Sequence, residues 1–269
     1  MAEMGLVMVD YCLNFSSFSK SHEGKVRSYN EDAFFCSDAN GVWVVADGMG
    51  GHEAGDYASK LLVELIEHHL SKVNEKDVDT VLLRDIVTEA NYKIKEYSIN
   101  ELNGEVVGTT VAILLIQNGH FYCLWAGDSR IYLYRNNQLV QKTRDHSQVM
   151  DMVDQGILTE ENAEQHPMAN VITRAVGVEY EIDIDEVSDT LCDGDKFLLC
   201  SDGLTKELNH HHISDCLRAS EVNDSVLALM HSALVRGASD NVTCVMVKVS
   251  EQVHQTRLET TVPIFKKKR

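Results

Sequence analysis

The chain has 269 residues, 44% of them hydrophobic, and a formal net charge of −18. That apolar content suffices for one substantial core in a single large domain, and the acidity argues against a nucleic-acid partner, whose binding rests on cationic patches. The opening MAEMGLVMVDYC has no basic start followed by an apolar run, and no long apolar stretch occurs anywhere, so a soluble cytoplasmic protein with no membrane partner is expected.

Apolar or alternating runs predict strands at about 13–19, 33–36 and 42–46, followed by helical periodicity over 53–71 and 79–101. A meander of strands comes next, at 109–117, 120–126, 130–135 and 138–142, and then short helices at 146–155 and 159–164. The chain closes with a strand at 195–200, a short helix near 210–218, a helix at 221–236 and a strand at 241–249. Grouped strands and grouped helices predict an α+β fold with antiparallel sheets and helices packed outside, not alternating βαβ units. Prolines number two and no linker or repeat interrupts the pattern, so residues 1–250 are expected to form one domain. Residues 251–269, ending in TTVPIFKKKR, read as a flexible tail. The seven cysteines are odd in number and contain no CxxC pair, which fits free thiols in a reducing compartment.

Several strand-like runs end or begin at an aspartate beside a small residue: VWVVADG at Asp47, FYCLWAGDS at Asp128, FLLCSDG at Asp202 and SDNVTCVMV at Asp240. Any one of these is ordinary turn chemistry. Strands packed side by side bring their ends to one edge, however, and clustered carboxylates repel unless they are protonated or share cations. An all-oxygen set selects hard ions such as Mg²⁺ or Mn²⁺. Other phosphate chemistries lack their residues: there is no Cys-x5-Arg loop, no GxxxxGK[ST] loop and no HExxH helix.

The blocks GKVRSYNEDAF (24–34), VVADGMGGHEAGDYAS (44–59), GTTVAILLI (108–116), WAGDSRIYLYR (125–135), TRDHSQVMDMVDQG (143–156), NVITRAVG (170–177), FLLCSDGLTKEL (197–208) and ASDNVTCVMV (238–247) stand in one order. In that order the chain resembles the metal-dependent Ser/Thr protein phosphatase family, protein phosphatase 2C-like, in its bacterial branch. The resemblance implies a four-layer α/β/β/α sandwich with two central antiparallel sheets flanked by helices and two bound Mn²⁺ or Mg²⁺ ions, or three. It implies Asp47 as the carboxylate bridging two metals, the Gly48 carbonyl on one of them, Asp202 and Asp240 on the other, and Asp128 on a third ion shared with Asp202. Glu31 and Asp32 match acids that hold metal-bound waters, and Arg27, four positions before Glu31, matches the phosphate-gripping arginine.

The implied reaction is hydrolysis of phosphoserine and phosphothreonine on proteins by in-line attack of a metal-bridging hydroxide. The implied partners are phosphoproteins made by a cognate bacterial Ser/Thr kinase, met by a monomer. The alternative is a catalytically inactive fold that binds phosphoproteins; a phosphatase of the same fold acting on small phosphoesters or as a sigma-factor regulator is a third reading. Met49 stands where animal members carry a proposed proton-donating histidine, and a thioether donates no proton. His52 and His146 read as residues at helix starts, and the run His210–His212 spreads over different helix faces. Residues 147–170 match the family's variable flap, whose acids Asp151, Asp154, Glu160, Glu161 and Glu164 read as a solvated helix face.

Overall fold

In this computed structural model the described residues are 7–50, 54–163 and 166–257. Strand β1 (Val7–His22) leads to β2 (Asp32–Ser37) and β3 (Val42–Gly50), and these to helices α1 (Ala54–Leu70) and α2 (Thr80–Glu101), with a 3₁₀ turn at Glu75–Asp77 between the two. The meander comprises β4 (Val107–Thr109), β5 (Val111–Gln117), β6 (His120–Ala126), β7 (Arg130–Arg135) and β8 (Gln138–Gln141). After α3 (Gln148–Asp154) and α4 (Glu160–Ala163) come β9 (Asp185–Thr190), β10 (Lys196–Cys200), α5 (Asp202–Glu207), α6 (His210–Cys216), α7 (Val222–Arg236) and β11 (Val242–Arg257). One sheet runs β1-β11-β10-β7-β8; the other runs β2-β3-β5-β6-β9, with β4 pairing β3. Every strand pairing is antiparallel.

The period-2 alternation of the central strands builds three apolar layers. On β3, Val42, Val44 and Ala46 join Ala58, Leu62 and Ile66 of α1 and Ile86, Ala90 and Ile94 of α2 in one core. The intervening Trp43 and Val45 face the other way, meeting Phe197 and Leu199 of β10 and Val245 and Val247 of β11 between the sheets. On the far side, Leu198, Cys200, Cys244 and Met246 pack on Val226, Leu229 and Ala233 of α7. The result is helix layer, sheet, sheet, helix layer, as expected from the resemblance. The helix boundaries follow local chemistry: Asp79 caps α2 by accepting from the Leu82 N–H at 2.8 Å, and Asn209 caps α6 by accepting from the His212 N–H at 3.0 Å. No helix among the described residues is long and apolar enough to cross a membrane.

The structure departs from the sequence reading in places. β11 continues to Arg257 and pairs with β1 back to Val7, so the folded part does not stop at 250, and β1 begins well before residue 13. β9 was not expected, because its sequence DEVSDT carries a single apolar residue, Val187, and it joins its sheet as an edge strand. The short β4 and the single-turn α5 also escaped the periodicity, being too brief to show one. Residues 258–269, with the basic tail, lie outside the described residues.

Phe197 is fully buried between the sheets, its ring 4.9 Å from that of Phe121. Phe197→Ala is expected to lower unfolding stability by about 3–5 kcal/mol, measured as a shift in the urea midpoint at unchanged slope.

Candidate metal centre

Both sheets deliver acids to one end of the sandwich. Asp32 and Asp47 sit opposite each other in the β2–β3 register. Asp47 lies within β3, not at its end: its N–H donates to Thr110 Oγ1 at 3.0 Å, and its carbonyl accepts from the Thr110 N–H at 2.8 Å and from Thr109 Oγ1 at 3.0 Å. Asp202 opens α5 directly after β10, and Asp240 immediately precedes Asn241 and β11. Asp128 occupies the crossover from β6 in one sheet to β7 in the other. Arg27, Glu31, Asp47, Gly48, Asp128, Asp202 and Asp240 line a common cleft of about 520 Å³. Of the residues singled out by the resemblance, only Asp32 does not line it.

Asp32 lies just behind the cleft, 6% exposed. Its Oδ2 accepts from Ser201 Oγ at 2.8 Å and from Thr243 Oγ1 at 2.6 Å, while its Oδ1 is buried with no hydrogen-bond partner. Close backbone approaches bring the pieces together. A Cβ on Gly48 would sit 2.1 Å from the Gly55 carbonyl oxygen, and one on Gly203 would sit 1.9 Å from that of Asn241. Glycine at these positions lets β3 meet α1 and lets α5 meet the strand start that bears Asp240.

Two residues central to this geometry went unnoticed in the sequence. Asn241, 5% exposed, accepts from the Glu31 N–H at 2.8 Å through Oδ1 and donates through Nδ2 to the carbonyls of Glu23 (2.9 Å) and Tyr29 (2.8 Å). It thereby ties the loop bearing Arg27 and Glu31 to Asp240; its signal was only that it follows that aspartate. Lys206 places its Nζ 2.5 Å from Asp202 Oδ2 and 2.9 Å from Asp240 Oδ2. Nothing local distinguishes it from a surface lysine. Arg27 also binds Asp240, through Nε to Oδ1 at 2.9 Å and Nη2 to Oδ2 at 3.1 Å.

The electrostatics are those of crowded carboxylates. Burial, then the charges of Asp32, Asp202, Asp128 and Asp240, hold the Asp47 pKa well above the ordinary value. Burial pushes Asp32 up to about 7 despite its hydrogen bonds from Thr243 and Ser201, and burial with the nearby Asp202 and Asp145 pushes Asp128 up to about 7. Asp202 and Glu31 are raised, burial again leading. Asp240 alone is lowered: the Lys206 ammonium, with the Asn241 N–H and Arg27, overcomes its burial. Among the described residues no three acidic, histidine or cysteine side chains converge as a ready cage for an ion; the acids close instead on Lys206 and Arg27. The donor set still fits a hard divalent cation. It is all oxygen, it includes an unpartnered buried carboxylate oxygen, and two of its members are already drawn onto a protein cation.

His146 and His210 are held by partners of their own. His146 accepts the Gly127 N–H through Nδ1 at 3.1 Å, faces Asp185 through Nε2 at 3.3 Å and stacks on Trp125. His210 pairs with the Leu139 carbonyl at 3.0 Å, and His52 lies outside the described residues. The segment 147–170 borders the site: Val149, Met150, Ala163, His166 and Asn170 line a second cleft of about 420 Å³ together with Asp128, Asp202 and Lys206.

A family model described as "Protein phosphatase 2C" matches residues 20–243. The serine/threonine phosphatase stp of Listeria welshimeri is 32% identical over 237 residues, covering 85% of this chain and 94% of that protein. The structure of PppA of Pseudomonas aeruginosa, described as a key regulatory component of T6SS, superposes with a TM-score of 0.79 at 37% identity, covering 89% of this chain and all of that one. The catalytic domain of serine threonine protein phosphatase PstP, in complex with two manganese ions, superposes with a TM-score of 0.81 at 32% identity over 89% of this chain.

A carboxyl whose pKa is higher folded than unfolded binds more protons in the folded chain between the two values, so stability falls as pH rises through that window. For Asp32 and Asp128 the window runs from 3.8 to about 7. In chelator, the melting temperature is therefore expected to fall from pH 5 to pH 7.5; with Mn²⁺ present the fall is expected to vanish, because a bound cation favours the ionised acids. A chelated protein that gains stability over that range contradicts this account of the cluster.

Proposed function

We propose a role for each of these residues from one premise: the chain belongs to the protein phosphatase 2C family. It is a metal-dependent serine/threonine protein phosphatase, and the proposal concerns how its own residues do that work. In this reading the folded chain is one catalytic domain with a flap at 147–170. Asp47 with the Gly48 carbonyl, and Asp202 with Asp240, would hold two Mn²⁺ or Mg²⁺ ions. When bound, such ions would supply a water nucleophile at neutral pH and offset charge on the phosphoryl group.

The side chains then divide the labour. Asp47 stands between the acids of both sheets, and its backbone is fixed on both its N–H and its carbonyl by Thr110, which suits a bridging position. Glu31 and Asp32 lie where they can orient waters around the centre, Glu31 from the cleft wall and Asp32 through the oxygen that accepts no hydrogen bond. Arg27 is 52% exposed at the cleft, with its guanidinium oriented by Asp240. Its remaining N–H groups can make charge-assisted hydrogen bonds to two oxygens of a phosphate ester, fixing the ester and offsetting developing charge. Met49 lines the cleft and supplies no proton, so the leaving alkoxide is protonated by another group.

The observation that carries this reading is the convergence of carboxylates from both sheets on one cleft beside Arg27. A phosphate ester is the anion such an acidic cleft accepts once divalent cations invert its charge. The chain's phosphoprotein substrates, in turn, imply a cognate Ser/Thr kinase that makes them. Binding of phosphoproteins without turnover is disfavoured because every acid that the chemistry requires is present.

The purified protein is expected to release phosphate from p-nitrophenyl phosphate and from a phosphothreonine peptide with Mn²⁺, and to stop on chelation. Asp47→Asn and Asp240→Asn are each expected to cost at least about 10²-fold in kcat, since even residues supporting a metal ligand cost 10–100-fold. Arg27→Ala is expected to cost roughly 10²-fold in kcat/KM, as loss of one oriented donor to a developing charge does. Full activity in both aspartate variants would sink the assignment.

A further inference from the structure

Beside the cleft that gathers the acids lies a smaller pocket of about 100 Å³. Met49 and Ile172 line both, so the two share a wall. Ala175, Val178 and Ile182 extend its apolar surface, and the exposed Glu179 and Glu181 stand at its rim. The segment 172–182 that forms most of it has no regular helix or strand, yet it is firmly pinned. Val176 exchanges backbone hydrogen bonds with Thr109 of β4 at 2.9 and 2.8 Å. Asn91 of α2 accepts from the Gly177 N–H at 2.6 Å and donates to the carbonyls of Glu179 (3.0 Å) and Tyr180 (3.2 Å), and Lys95 Nζ donates to the Val178 carbonyl at 2.6 Å. A Cβ on Gly108 would lie 2.7 Å from the Val176 carbonyl oxygen, so glycine there lets the segment close onto β4. A pocket held this way is formed before anything binds, which spares the cost of ordering it.

A cavity of about 150 Å³ accommodates benzene, so this smaller one suits an aliphatic side chain of valine to leucine size. Such a side chain arrives with the substrate. Successive residues of an extended chain are roughly 3.3–3.6 Å apart, so the neighbours of a phosphorylated residue held at Arg27 pass along the wall formed by Met49 and Ile172. The unbranched thioether of Met49 lets that wall adapt to its occupant. The rim is acidic: Arg174 on the pocket wall is already paired with Asp185 at 2.7 Å, while Glu179 and Glu181 make no ion pair among the described residues. We propose that this pocket is a substrate subsite. It takes a small aliphatic side chain from a residue within two positions of the phosphorylated one, and Glu179 and Glu181 favour a lysine or arginine next to that side chain. This rests on the phosphatase reading of the cleft and names the peptide that the cleft selects.

Phosphothreonine peptides built otherwise of alanine and glycine test this on the full chain with Mn²⁺. Valine is moved in turn through the two positions on each side of the phosphothreonine, and kcat/KM is compared with that of the alanine parent. One position is expected to gain about tenfold, the low end of what a fitted hydrophobic pocket supplies. Lysine beside that valine is expected to add about threefold at low salt, as an exposed ion pair does. Equal rates for valine and alanine at every position, or no gain from lysine, overturn the subsite; phosphate release from none of the peptides overturns the phosphatase reading and the subsite with it. Thr173 is exposed on the pocket wall, and the indole of Thr173→Trp is expected to fill the pocket and bring the valine and alanine peptides to equal rates. Because a ratio is read, a general loss of activity cancels. A folded Thr173→Trp that keeps the valine gain overturns the proposal. If Thr173→Trp does not fold, the double variant Glu179→Gln, Glu181→Gln decides: loss of the lysine gain supports the subsite, and an unchanged gain overturns it.

Discussion

Repulsion among carboxylates is the constraint on which the active end of this molecule depends. Two unit charges 4 Å apart interact by about 4 kcal/mol at the effective dielectric of a protein surface, and Asp47 alone feels Asp32, Asp202, Asp128 and Asp240. Left to itself, a chain would splay such groups into water. Here they are held by elements that cannot yield, because β3, β10 and β11 are each packed on both faces. The energy of three apolar layers is spent partly on keeping like charges together, which prepares the cleft to bind divalent cations strongly.

That strain is shared across both sheets. Asp32 and Asp47 come from one, Asp202 and Asp240 from the other, and Asp128 from the chain that crosses between them. A slip of either sheet would separate the sets, so the polar contacts that join them carry much of the precision. Ser201 and Thr243 reach across to Asp32, and Asn241 fastens the Arg27 loop to the start of β11. Gly48 and Gly203 remove the side chains that would otherwise hold the backbones apart.

These cross-sheet contacts explain what could and could not be read in the sequence. The central strands and long helices were legible because their burial is written in local periodicity: VWVVA alternates between two cores, and the apolar positions of α1 and α2 recur at helical spacing. β9 was not, since DEVSDT is an edge strand whose place is set by its pairing with β6. The site acids were visible first as turn-like aspartates and gained roles only from the order of the blocks around them. Asn241, Ser201, Thr243 and Lys206 stayed hidden because each acts on a partner that is distant in sequence, or, for Lys206, on one turn of helix too short to show a pattern.

The remaining paradox is an anionic substrate for a chain of net charge −18. Beyond about 8 Å at physiological salt the surface charges are largely screened, so an approaching phosphate ester responds mainly to what lies at the cleft. Arg27, half exposed, stands there. Asp240 and the other nearby acids hold its pKa above the ordinary arginine value, so its charge is permanent. Asp202 and Asp240 raise the pKa of Lys206 against the effect of its burial. A cation held this firmly is a poor proton donor, so Arg27 and Lys206 stand at the cleft as fixed charges. The acids that make the protein anionic are therefore also what keeps the two side-chain cations at this cleft permanently charged.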